Sequence, residues 1–300
     1  MKMTNWIAAA PFVAAALGAQ PLAAQDADPG ESEIVVEGVT EQEEQAVREL
    51  ARRVTANDGH DTPATRFLDA LCVSVSGLNR AGNEYIERRI RQNAAETGVP
   101  VQGEDCRVNA QVLIHNDIPG LVQRIKNEHV GMLTRDERVE VDAAVERGDR
   151  IVAWHNEEDR NQGGRRIRYG TDVAGMVASP TGLNVTARLN DNAWPSRTEL
   201  PSSRGVVSAA ILIDSEVAQG MLIERLADYA TMRLLAPDFI PPGADETEPA
   251  SVTSPFPQEG GAEDLTRFDR AYLQALYSLR PNAPSSRLAR AVSRQYVYGE

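Results

Sequence analysis

The sequence predicts an α+β protein: a mixed sheet of about four to five strands with helices flanking it. Three observations carry this expectation. Residues 206–213 (VVSAAILI) are nearly all apolar and small or β-branched, a run bounded by Gly205 and Asp214 that suits an interior strand covered on both faces. Residues 68–115 read strand, helix, strand, which over this length is a right-handed crossover joining parallel neighbours. Amphipathic helical stripes recur through the rest of the chain, with neither an internal repeat nor a heptad.

The N-terminus MKMTNWIAAAPFVAAALGAQPLAAQ has one Lys, an apolar run over residues 6–17 and small residues before Gln25, the pattern of a cleavable secretion signal. Cleavage is expected after Ala24, with Ala27 as the alternative, which makes the protein periplasmic or secreted. A membrane anchor needs ~20 apolar residues, and this run is shorter and followed by Gly18, Gln20 and Pro21. No Cys adjoins the cleavage site to carry lipid, and no later segment reads as a transmembrane span. Net charge is −13, and loss of Lys2 with the leader takes it to −14, a surface that repels phosphate backbones and argues against nucleic acid as a partner. Arg165, Arg166 and Arg168 read as part of a solvated loop. Cys72 and Cys106 are the two cysteines of the chain, and in an oxidising compartment they are expected to pair.

The organisation that follows is a signal peptide over 1–24, an acidic leader and short helix over 25–62, a single α+β domain over 63–280 and a C-terminal helix over 281–300. Within the leader, residues 33–38 (EIVVEG) resemble the short energy-coupling box of some outer-membrane receptors, but no repeated alternating strands follow to build a barrel. Residues 41–54 form a helix with Ala46, Val47, Leu50 and Val54 on one face. Residues 68–76 (LDALCVSVS) alternate as the first core strand, 79–97 form a helix ending at Gly98, and 108–115 form the next strand just after Cys106. Helices follow near 118–129 and 135–147, the second capped by Thr134 with Glu137 as capping-box partner. Residues 150–155 (RIVAWH) are a strand, 157–170 a charged surface loop, and 183–189 an alternating edge strand in which the sequon at Asn184 is strand polarity. After 206–213, a helix carries Leu222, Ile223, Leu226, Tyr229, Ala230 and Leu234 inward and stops at Ala236 before Pro237. Residues 240–261 are Pro-, Gly- and acid-rich without periodicity and are expected to be mobile; Thr266 then caps a helix with Asp269 in the capping-box position, and 287–296 are a last amphipathic segment.

Two segments carry a resemblance. Residues 227–235 (ADYATMRLL) are similar to the HExxHxxGL helix of zincin metallopeptidases, and residues 265–277 (LTRFDRAYLQALY) are similar to the closing helix of secreted zincins. The resemblance covers roughly residues 66–280 and implies a zincin-like arrangement of the sheet and its helices. Carried over position by position, it implies no metal site. Zinc needs imidazoles one turn apart, and Ala227 and Thr231 stand in those places, with Asp228 at the catalytic glutamate position. No histidine follows His155, so no cofactor or metal is expected. The whole chain also resembles exported proteins of unknown function from Gram-negative bacteria, a kinship that implies no activity.

Four residues stand out as candidates to line a cleft. Asp228 and Tyr229 read either as a vestigial cleft or as a helix-surface acid and a core tyrosine. His115 and His155 each end an expected strand. If those strands are parallel neighbours, the imidazoles converge at the carboxyl edge, where Asp117 or Glu157 would complete an acid–base or metal pair; otherwise they are separate surface histidines. Neither a G-x-S-x-G elbow nor a Gly-rich phosphate turn occurs. Trp154 and Trp194 read as core or rim aromatics, or as platforms for a sugar or peptide. The functional expectation is a non-catalytic binding module for an envelope protein or peptide. The alternative is a periplasmic hydrolase with a site near His115 and His155.

Overall fold

The computed structural model describes residues 39–103, 105–129, 131–169, 188–189, 199–242, 250–254 and 262–299. The expected signal peptide, the 33–38 box, Trp194, most of the 183–189 strand and most of the 240–261 loop lie outside these residues.

Within the described part, eight α-helices surround a five-stranded sheet whose pairings are mostly parallel. Helix α1 (Glu41–Arg53) is followed by strands β1 (Arg66–Phe67) and β2 (Val73–Ser76), helix α2 (Arg80–Glu96) and strand β3 (Ala110–His115). Helices α3 (Ile118–Glu128) and α4 (Arg135–Glu146) lead to strand β4 (Ile151–Asn161); the short strands β5 (Arg168–Tyr169) and β6 (Arg188–Leu189) pair only with each other. Strand β7 (Ser202–Asp214) is central, and α5 (Ser215–Gln219), α6 (Ile223–Leu235), α7 (Arg267–Ser278) and α8 (Leu288–Tyr298) complete the chain.

The apolar run expected as an interior strand is the middle of β7. Strand β4 runs antiparallel along one edge of it. The other edge is shared, with β1 beside its start and β3 parallel beside its end. Beyond β3 lies β2, also parallel, joined to it through α2. Alternation sends Ala209, Ile211 and Ile213 into the larger core, where α1, α2, α6, α7 and α8 pack. It sends Ala210 and Leu212 to the opposite face, into a smaller core with Ile118, Val122 and Ile125 of α3, Val141 and Ala144 of α4, and Val152 and Trp154 of β4.

The helix starts are set by their caps. Asn79 Oδ1 accepts from Gly82 N at 2.8 Å, and Thr134 and Thr266 form full capping boxes with Glu137 and Asp269. Gly98, at φ 86°, occupies the left-handed position after α2 that a side chain would disfavour. Cys72 and Cys106 are joined by a disulfide, their Cα atoms 5.9 Å apart, which ties the lead-in of β2 to that of β3.

Several expectations are corrected. Residues 68–76 are not one strand: the chain leaves the edge of β7 after Phe67, makes a single parallel bridge from Leu71 to Val101, and pairs with β3 from Val73. Strand β3 begins at Ala110, after an exposed Val108. Residues 157–161, expected as loop, continue β4, because its charges are answered within the sheet. Arg204 lies 3.8 Å from Glu157 and 3.7 Å from Asp159, and the fully buried Arg160 grips Asp69 with both guanidinium nitrogens, at 3.0 and 2.7 Å. Arg166 is exposed, as expected of a solvated loop, and pairs at the surface with Asp69 and Glu158. A bulge between Asn156 and Glu157 marks where β4 changes register. In α1, Ala51 rather than Ala46 is buried. Both α1 and α8, expected outside the domain, contribute to the larger core through residues such as Val47, Leu50, Leu288 and Val292.

Candidate functional site

Asp228 is neither at a helix surface nor in a cleft. It is wholly buried, as are Ala227 and Thr231. Its Oδ1 accepts from Arg89 Nε at 2.7 Å and from Asn93 Nδ2 at 2.6 Å; its Oδ2 accepts from Arg89 Nη2 and from Leu265 N, both at 2.8 Å. Thr231 Oγ1 donates to Ala227 O at 2.8 Å and accepts from Asn93 at 3.1 Å. Ala227, Asp228 and Thr231 therefore sit inside the α2–α6 contact. Their polar atoms are spent on helix packing. The bidentate Asp228 holds the Arg89 guanidinium well above its ordinary pKa. Tyr229 is also buried, and burial raises its phenol.

His115 and His155 are not brought together. Strands β3 and β4 are neither parallel to each other nor neighbours, since both flank β7, one on each edge. His115 lies opposite Asp214 and His155 opposite Ala209, five residues apart along β7, which places them roughly 19 Å apart in the sheet. They also project from opposite faces. His155 lies on the larger-core face with its Nε2 3.2 Å from Leu234 O; burial, assisted by the Arg233 charge, lowers its pKa to about 4. His115 lies on the smaller-core face, where its Nδ1 accepts from Asp117 N at 2.9 Å and its Nε2 stands 3.2 Å from Arg124 Nη2. Glu157, two residues beyond His155, is pushed up to about 7 by burial and by Asp238 nearby, against the pull of Arg204. Among the described residues, no three His, Cys, Asp or Glu side chains group closely enough to hold a metal ion.

An open cleft of about 580 Å³ lies elsewhere, on the smaller-core face of the sheet where α3 and α4 leave it uncovered. Its floor follows from register. Ser208 and Asn156 stand opposite each other on β7 and β4, Gln111, Ala210 and Trp154 form a row across β3, β7 and β4, and Asn109 lines the cleft just ahead of β3. The middle strand contributes only Ser208 and Ala210 to these rows, so a trough runs along β7 between taller side chains. One wall is the turn after α3, with His129 and Met132. Met132 O accepts from Trp154 Nε1 at 2.8 Å and from Asn156 Nδ2 at 3.0 Å, which fixes both floor side chains to that wall. Asn109 is likewise fixed: its Oδ1 accepts from Cys72 N at 2.7 Å and its Nδ2 donates to Ala70 O at 3.1 Å, linking the trough to the disulfide.

Of the residues singled out from sequence, Trp154 is in this trough; Asp228, Tyr229, His115 and His155 are not among its lining residues. Gln111, Asn156 and Ser208 gave no individual signal: Ser208 falls within the run expected to be covered on both faces, Asn156 just past the expected end of its strand, and only the cross-strand register places them side by side. Comparison of the chain with known protein families, with curated proteins and with solved structures finds no match. Its function is therefore argued from its own geometry.

Proposed function

We propose that the protein is an exported, non-catalytic binding module of the cell envelope, carried on a degenerate zincin-like scaffold, that takes an envelope protein or peptide as partner. The observation that carries this reading is the state of Asp228. The acid in the catalytic position is buried at 0 % exposure and held by four hydrogen bonds from Arg89, Asn93 and Leu265, so neither water nor substrate reaches it. The disulfide suits an oxidising compartment, and no described helix is long and apolar enough to cross a membrane. The open cleft, lined by side chains that include Trp154, Asn156, Ser208, Glu128 and His129, is the surface on which a partner would be taken.

Incubation of the purified chain with a mixture of unstructured peptides, with and without added zinc, tests this. The expected result is no new cleavage product by mass spectrometry beyond a heat-denatured control. Zinc-dependent cleavage would remove the reading.

A further inference from the structure

Helix α8 turns two different faces to its surroundings. Its apolar side, with Leu288, Ala289, Val292 and Tyr296, is buried in the larger core. The opposite side carries Arg287 at the N-cap, then Arg290, Arg294 and Tyr298, three or four residues apart and therefore aligned along one face. All four are exposed, Tyr298 at 80 %. From Arg287 to Arg294 the stripe runs roughly 10 Å along the axis.

These guanidiniums are unanswered. Elsewhere, arginines such as Arg48, Arg89, Arg160 and Arg270 hold carboxylates. Among the described residues none pairs with Arg287, Arg290 or Arg294, and residues 287–298 contain neither Asp nor Glu. The α1 carboxylates that reach α8 do so at its buried side, where Glu43 Oε1 accepts from Tyr296 Oη at 3.0 Å and Glu44 Oε1 from Ser293 Oγ at 3.5 Å. Like charges one turn apart weaken a helix, so the stripe costs stability until an anion covers it, although the chain as a whole carries −13.

The anion has to extend along the stripe. A helix that binds an anionic bilayer sinks its apolar side among the acyl chains, and the apolar side of α8 is already spent in the core. An acidic stretch of polypeptide needs no such insertion. Guanidinium forks take carboxylates in bidentate pairs, and Arg and Tyr are the residues that most often anchor protein interfaces. We propose that the exposed face of α8 docks an acidic segment of a partner protein, its carboxylates on Arg287, Arg290 and Arg294 and its chain against Tyr298. This face belongs to the larger-core side of the sheet and the open cleft to the other, so the contact does not use the cleft.

The test is fluorescence-anisotropy titration of labelled, end-capped octaglutamate with the full chain, beside octaglutamine and phosphatidylglycerol vesicles. Saturable binding of octaglutamate is expected at low ionic strength, with none of octaglutamine, and it is expected to vanish at about 1 M salt, where charges are screened within about 3 Å. Replacing Arg287→Gln, Arg290→Gln and Arg294→Gln together is expected to weaken it about 10-fold, the worth of three exposed ion pairs. A matched triple, Arg88→Gln, Arg135→Gln and Arg165→Gln, removes the same charge from exposed arginines on α2, on α4 and after β4, and is expected to weaken it less than about 3-fold. All six positions are exposed, so both variants keep the core intact. Absence of saturable octaglutamate binding, or equal weakening by the two triples, overturns the proposal. Binding to the vesicles through the same three arginines, with octaglutamate left unbound, overturns it in favour of a lipid surface.

Discussion

Two side chains of β4 titrate away from their ordinary values in opposite directions, and their effects on stability are separable. His155, lowered from 6.5 to about 4, binds fewer protons folded than unfolded, so its contribution is complete above pH 6.5 and is lost as pH falls toward 4. Glu157, raised from 4.5 to about 7, binds more protons folded, so its contribution is complete below pH 4.5 and is lost as pH rises through 7. In the window they share, the two slopes oppose each other. Urea midpoints between pH 4 and 7.5, taken as variant minus parent, check this: Glu157→Gln is expected to gain on the parent as pH rises, and His155→Gln to gain as pH falls. Difference curves that are flat for both variants would refute it. Neither shift is legible in the sequence, because each depends on what covers the residue. Residues 155–159 (HNEED) are polar throughout, which reads as solvent, whereas Arg204, Asp238 and the C-terminal end of α6 lie against them.

Helices are the most legible elements, because their ends are written locally: Thr134 and Thr266 cap the helices expected of them, and Thr40 and Asn79 cap the helices expected to start beside them. The middle of β7 was legible for a related reason, since an apolar run of its length has few other uses. Two elements were misread. Strand β4 was stopped at His155 because Glu157, Glu158 and Asp159 look solvated, and their partners Arg204, Arg160 and Arg166 come from elsewhere in the sheet and the turn after it. Helix α6 was given a wet face because Asp228 counted as polar, although from Leu226 to Met232 every side chain is buried. Asp228 with Arg89 acts as the latch between α2, α6 and the lead-in to α7. Removing one partner of such a buried pair strands the other, at a cost of roughly 3–5 kcal/mol. Asp228→Ala is therefore expected to lower the unfolding free energy by about that amount, and adding Arg89→Met is expected to restore part of it. A loss within ~0.5 kcal/mol in urea denaturation would show that the latch carries no weight.

At the scale of the molecule, the sheet separates two environments. One face carries the large core and the Asp228 latch; the other carries the small core and, beside it, the open trough. The fold class followed from chain pattern, but the trough did not, because its residues come from three strands whose register no local signal encodes. The same division bears on chemistry. Helix α6 buries Ala227, Asp228 and Thr231, whose side chains are a methyl, a carboxylate held by Arg89 and Asn93, and a hydroxyl bonded back to the helix, and none of these is an imidazole. The most direct measurement is the zinc content of the full chain, purified without chelator and dialysed against micromolar zinc, by elemental mass spectrometry. Far less than one zinc per chain is predicted, with the same value for Asp228→Ala. One tightly held zinc per chain, lost on substitution at Asp228, would contradict the account.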